Sequence, residues 1–279
     1  MSADSSLVAS GLRARIGGVE LLRGVSLEAG SGRITAVVGR NGAGKSTLLA
    51  TLARIMGTGS VRLGDTDLDS LSRRSRAATV AMVHQSLQSD ADLTVRDAVS
   101  LGRLPHVGNW AWSDDDDRAV MLALHHAGIM QFEHRELTTL SGGERQRVGI
   151  AMALAQEPRL LLVDEPSNHL DVGSALAMMA VLRDVARTGA TVIVALHDLS
   201  LALEASDDVI VMEGGAVRAA GGTSRVLTEE LISDIYDVEA RILVDPELGT
   251  RALHFSLPAA GRGSKLRRPR RDQTAAVAP

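Results

Sequence analysis

The stretch Gly39-Arg40-Asn41-Gly42-Ala43-Gly44-Lys45-Ser46-Thr47 decides how this chain is read. It has the G-x-x-x-x-G-K-S spacing of a phosphate-binding loop. Ile34-Thr35-Ala36-Val37-Val38, just before it, is an apolar, β-branched run that suits a buried strand. Leu48-Leu49-Ala50-Thr51-Leu52-Ala53, just after it, can continue as a helix. Glycines let the main chain approach an anion closely, and several backbone N–H groups at a helix start then point at one phosphate. Lys45 can reach the outer phosphates as a point charge. Ser46 can place its hydroxyl on Mg²⁺, and Thr47 can hydrogen-bond a further phosphate oxygen.

Outward from that loop, composition sets bounds. The 279 residues can bury a substantial core. Apolar residues are 45% and charged residues 23%, an ordinary globular mixture. A net charge of −4 argues against a general nucleic-acid binder. There is no cysteine, which excludes disulfides and thiolate metal sites. No secretory signal pattern opens the chain, and no apolar run approaches the ~20 residues that span a bilayer. The expected location is therefore cytoplasmic. Lysine occurs only at Lys45 and Lys265, against many arginines. A lysine kept at the loop fits a need for a compact charge.

Short runs at 7–9, 20–22 and 25–28, broken by Gly17-Gly18 and Gly24, read as a small sheet before the strand 33–38. Ser60–Leu63 and Leu68 read as a hairpin about Gly64-Asp65, 73–77 as a short helix or turn, and 79–83 as a strand ending in His84-Gln85. Residues 86–140 change character. Thr94–Leu101 is amphipathic, with Asp92 or Thr94 as its cap, and Arg118–Gly128 follows Ser113 and four aspartates. A metal site is the sharper reading of those aspartates. Adjacent carboxylates on a helix diverge, so Ser113 as cap with acids in the first turn is the better one.

Ser141-Gly142-Gly143-Glu144 opens a helix through 148–155, a second anion-binding helix start in one chain. It makes sense if it faces a nucleotide held by another copy. Leu160-Leu161-Leu162-Val163-Asp164-Glu165 is a buried strand ending in two carboxylates. Asp164 can bind Mg²⁺, and Glu165 can orient or deprotonate an attacking water. Asp171 closes a turn before a helix at 175–186. The apolar strand 191–196 ends in His197, which could touch a γ-phosphate. A hairpin (209–212 with 216–219), two short helices (223–226, 229–236) and a last hairpin (242–245 with 252–255) follow. From Pro258 the chain is polar and basic and reads as a disordered tail, 258–279.

Taken in order, GRNGAGKST, Gln85, LSGGE, LLLVDEP, SNHLD and His197 resemble the ATP-binding subunits of ABC transporters, over roughly residues 5–256. The resemblance implies an α/β P-loop NTPase of ABC type within 1–257. Its mixed-sheet core would carry an antiparallel β subdomain and a helical subdomain inserted at 86–158. It also implies ATP and Mg²⁺ as ligands. Gly39–Thr47, Arg40 to Ala43 included, would be the Walker A loop and Asp164 the Walker B carboxylate. Glu165 would be the base and His197 the switch histidine. Gln85 would contact Mg²⁺ and water and sense the membrane partner. Ser141–Glu144 would be the signature motif and Asp171 part of the D-loop. Two copies would stack head to tail around ATP on the cytoplasmic face of the membrane, beneath an integral permease fed by an extracytoplasmic substrate-binding protein. Where this family places an adenine-stacking aromatic, the chain has Ile16, which predicts weaker adenine selectivity.

Within the family, TVRDAVSLGRLP (94–105), Leu196–Leu199 and LISDIYDVEARILVDPELG (231–249) resemble importers of ferric siderophores, haem and cobalamin. A ferric siderophore is the expected cargo, with haem, cobalamin or a bare metal ion as alternatives. A soluble ABC ATPase of translation or DNA repair is the third reading. The single phosphate loop, the lack of cysteine and the lack of a long heptad run count against it.

Overall fold

Four apolar residues and Thr35, Ile34–Val38, form a strand buried on both faces, and the rest of the main sheet is built around it. The structure is a computed structural model that describes residues 4–84, 92–107, 112–167, 170–247 and 251–257. Gln85 and the tail 258–279 lie outside the described residues. In chain order, β1 (Leu7–Ile16) and β2 (Val19–Ala29) pair as a hairpin, and β3 (Ile34–Val38) leads into α1 (Lys45–Leu52). β4 (Thr58–Leu63), β5 (Thr66–Asp67), α2 (Arg73–Thr79) and β6 (Val80–Val83) follow. Next come α3 (Val95–Leu101), α4 (Asp114–His126), α5 (Gly142–Ala155), β7 (Leu160–Asp164), α6 (Val172–Arg187) and β8 (Thr191–Ala195). The chain continues with α7 (Leu199–Ala205), β9 (Asp208–Glu213), β10 (Ala216–Gly222), α8 (Thr223–Val226), α9 (Glu229–Tyr236), β11 (Glu239–Val244) and β12 (Arg251–Ser256).

The main sheet has the order β10-β9-β3-β8-β7-β6. β9, β3, β8, β7 and β6 run parallel, and β10 pairs antiparallel to β9. A second sheet, β2-β1-β4-β5, is antiparallel throughout. This is the expected mixed-sheet α/β fold with an antiparallel partner sheet. Side chains alternate across the main sheet with period two. Ile34, Ala36 and Val38 join Leu161, Val163, Val192 and Val194 beneath α6 and α7. Val37, Leu160, Leu162, Ile193 and Ala195 pack on the other side against α1 and the second sheet.

A third core holds α3, α4 and α5 together through Val95, Val99, Val120, Leu124 and Val148. Each of these helices starts with a capping box: Thr94 with Asp97, Ser113 with Asp116, and Ser141 with Glu144. Asp114 to Asp117 therefore occupy the first turn of α4, with Ser113 as its cap, as expected. Among the described residues no group of three or more His, Asp or Glu side chains is placed to hold a metal ion. Arg103 is buried at the junction of the three helices. Its Nε donates to Asp116 at 2.9 Å and its Nη1 to the Ala155 carbonyl at 2.7 Å.

Other expected boundaries shift for local reasons. β1 and β2 are long, because Gly11 and Gly24 take left-handed φ of 63° and 75° and bend the ladder instead of ending it. Thr79 ends α2, where its hydroxyl donates to Ser75 O at 2.7 Å, so the edge strand starts at Val80. α6 starts at Val172, because Asp171 accepts from the Ser174 amide at 2.8 Å. No helix among the described residues is long and apolar enough to cross a membrane.

Candidate nucleotide site

The register of β3, β8 and β7 brings three motifs to one sheet edge. Val37 pairs with Ala195, and Ala195 pairs with Asp164. Beyond this row the strands release Gly39, His197 and Glu165 at the same end. In parallel sheets that carboxyl edge is where ligands bind.

The phosphate loop turns there because its glycines adopt angles closed to other residues. Gly39 has φ 152°, and a Cβ on it would meet the Met212 carbonyl at 2.3 Å. Gly44 has φ 99° and caps α1 without a side chain, leaving the first amides of the helix facing outward. Ala43 is buried, and its carbonyl accepts from the Gly215 amide at 3.2 Å, tying the loop to the β9–β10 turn. Arg40, Asn41, Gly42 and Ser46 are exposed at the mouth, and Thr47 is half-buried.

Lys45 lies beneath that mouth, only 5% exposed. Its Nζ donates to the Gly39 carbonyl at 3.0 Å and lies 3.8 Å from Glu165 Oε1. Burial pushes the Lys45 ammonium below its ordinary value, with Glu165 and Asp164 working against the shift. The Ser46 hydroxyl donates to Asp164 Oδ1 at 3.1 Å. Burial pushes the Asp164 carboxyl up; the Ser46 bond opposes this and the neighbouring Glu165 adds to it.

Glu165 ends β7 in the left-handed region, φ 50°, with its amide donating to Ala195 O at 3.1 Å. That turn carries its carboxylate toward β8, where Oε1 lies 2.5 Å from His197 Nε2. Lys45, Ser46, Asp164, Glu165 and His197 thus form one connected cluster. A buried ammonium, outward amides and a helix start can hold a polyphosphate. A carboxylate braced by an imidazole can order a water for attack on it.

The signature segment stands apart from this cluster. Ser141 and Gly142 are exposed, and a Cβ on Gly142 would meet nothing within 4 Å. Ser141 N donates to Glu144 Oε2 at 2.7 Å, and Glu144 N donates to Ser141 Oγ at 3.3 Å. Gly143 faces Leu170, which a Cβ would approach to 3.0 Å. Asp171 is exposed and caps α6. Ile16, 56% exposed, is at the tip of the β1–β2 hairpin opposite Val19.

Two contacts around the site carry no signal that spacing alone would reveal. Buried Gln146, on α5, donates its side-chain amide to the Pro166 carbonyl and so ties the signature helix to the turn after Glu165. Arg40 is bound by the far end of the chain, where Asp237 Oδ2 lies 2.5 Å from its Nη1.

The chain is similar to known proteins over most of its length. The ABC transporter family pattern matches residues 22–168. The hemin import ATP-binding protein of Rhodopseudomonas palustris is 40% identical over 241 residues, 82% of this chain and 89% of that protein. The iron(3+)-hydroxamate import ATP-binding protein of Bacillus subtilis is 36% identical over 219 residues, 77% of this chain and 81% of that protein. Among solved structures, the Clostridium perfringens protein that is part of the ABC transporter complex cbiONQ superposes with a TM-score of 0.71. It is 28% identical and covers 83% of this chain and 94% of its own. By that family match, and by relatives whose length it nearly spans, the chain belongs to the ABC transporter family, as one of its ATP-hydrolysing members.

Proposed function

We propose that this chain is the ATPase of an importer for an iron complex, a ferric siderophore, working as a homodimer on the cytoplasmic face of the membrane beneath an integral permease. An extracytoplasmic binding protein delivers the cargo to that permease. The observation that carries the dimer is the exposed α5 N-terminus, Ser141 to Glu144, whose capping bonds are internal and whose outward face is open. A second copy placed head to tail sets it against the ATP held by Lys45 and the phosphate loop of the first. Asp171 then lies along the contact between the two copies.

Within each site the donors fit Mg²⁺: a serine hydroxyl, Ser46, and a buried carboxylate, Asp164, both hard oxygens 3.1 Å apart. Gln85, outside the described residues, is assigned to the same ion. When bound, Mg²⁺ supplies charge neutralisation on the β- and γ-phosphates. Lys45 and the loop amides neutralise the rest. Glu165 accepts the proton of the attacking water, and His197 holds the Glu165 carboxylate in place and borders the γ-phosphate. Ile16 packs on the adenine without stacking.

The cargo reading is supported by the 36% identical iron(3+)-hydroxamate relative. The hemin relative, at 40%, makes haem the second reading. Purification from membranes, identification of the co-purifying partner and uptake of labelled cargo in vesicles separate these. The proposal expects an integral permease and ferric siderophore uptake. Hemin uptake selects the second reading, and a soluble partner contradicts both.

A further inference from the structure

The last part of the chain reaches back to the start of the phosphate loop. α9 ends at Tyr236, the one tyrosine in the sequence. Asp237 follows with a left-handed φ of 56°. Its Oδ2 accepts from Arg40 Nη1 at 2.5 Å, and the Ile235 carbonyl lies 3.5 Å from the same nitrogen. Gly39, next to Arg40, is held as well, since its carbonyl accepts from Lys45 Nζ at 3.0 Å.

The unit that supplies these contacts has its own anchorage. Ile232, Ile235 and Ala240 are buried in the same core as Leu199 and Leu203 of α7, the helix that follows His197, and β12 packs on that helix. The apolar packing therefore fixes the C-terminal unit, and its polar groups are left to grip the loop. The Arg40–Asp237 pair is exposed on both sides, 58% and 75%, so it contributes little to folding. What it restrains is backbone that must present its amides to an anion.

We propose that Asp237 is a positioning residue for ATP: it holds Arg40 so that the amides of the loop are set before nucleotide arrives. Such preorganisation acts on binding, because an ordered loop loses less freedom when the ligand docks. Once bound, the triphosphate itself holds the loop, so turnover is little affected. This inference rests on ATP binding at the loop and is independent of the transported cargo.

The test uses the full chain with single substitutions. Asp237→Asn removes the charge while keeping a residue tolerant of left-handed backbone. Asp234→Asn is the control: it loosens a contact of the same helix with Arg218, at 3.6 Å, that does not touch the loop. Asp237→Asn raises the Kd and KM for ATP by about fivefold and leaves kcat and Tm unchanged; the control leaves all four unchanged. An unchanged KM, an equal rise in the control, or a fall in kcat without a rise in KM overturns the proposal. Lys45→Ala reports on the site itself: retained ATP affinity there removes the nucleotide reading, whereas its loss leaves the positioning claim to be judged on its own.

Discussion

His197 Nε2 is 2.5 Å from Glu165 Oε1, and the same carboxylate oxygen is 3.8 Å from Lys45 Nζ. The carboxylate thus bridges the ends of β7 and β8 to the first residue of α1. The left-handed backbone at Glu165 is what allows it, because an extended residue there would alternate to the other face of the sheet. Glu165→Gln keeps the shape and removes the proposed base. ATP binding is expected to persist while kcat falls roughly 10²–10⁴-fold, measured as phosphate release. His197→Ala is expected to lower kcat in the same range, since the carboxylate loses its brace.

Lys45 is the buried cation of the site, and its only neutral partner in these contacts is the Gly39 carbonyl. Lys45→Ala removes the proposed charge-assisted bond to phosphate. Equilibrium titration should show ATP affinity lowered about 10- to 100-fold. Lys45→Arg is not expected to restore it, because the broad guanidinium does not fit a pocket closed by Gly39.

The helical unit depends on a buried ion pair. Arg103 and Asp116 have side chains only 6% and 7% exposed, 2.9 Å apart. Arg103→Ala leaves Asp116 without its cation and should cost about 3 kcal/mol, read by chemical denaturation. The Ser113 hydroxyl first, and then Arg103, hold the Asp116 carboxyl below its ordinary value against the effect of burial. Because the folded value is depressed, this stabilisation is complete above the unfolded carboxylate range. It is lost as pH falls through the folded value, from about pH 4 downward. Asp116→Asn should therefore flatten the acid limb of the stability curve.

In the proposed adenine contact, Ile16 offers an aliphatic face where stacking would need an aromatic ring. KM for ATP and GTP should agree within about threefold, and Ile16→Tyr should lower KM for ATP by about two- to tenfold. A strong preference for ATP in the unaltered chain would contradict this.

Much of this site is legible in the chain because it is local. Strand, glycine loop and helix are contiguous from Ile34 to Leu52, and Asp164-Glu165 and His197 each end an apolar run. Their meeting requires only that β3, β8 and β7 be neighbours. The long reach of β1 and β2 is less legible, because Gly24 looks like a break and acts as a bend, and Gly11 bends β1 in the same way. The grips of Gln146 on Pro166 and of Asp237 on Arg40 join residues far apart in sequence, and no periodicity announces them. The start of α6 was hidden for another reason: Asp171 reads as a turn residue until its cap to Ser174 is seen.

The central claim is that each ATP is enclosed by two copies, the loop of one and the Ser141 end of the other. Light scattering of Glu165→Gln with and without ATP tests it most directly. The account predicts a nucleotide-dependent doubling of mass that Ser141→Arg abolishes while Lys45 still binds ATP. An unchanged monomeric mass with ATP bound, together with wild-type turnover that is full-rate and independent of protein concentration, would contradict it.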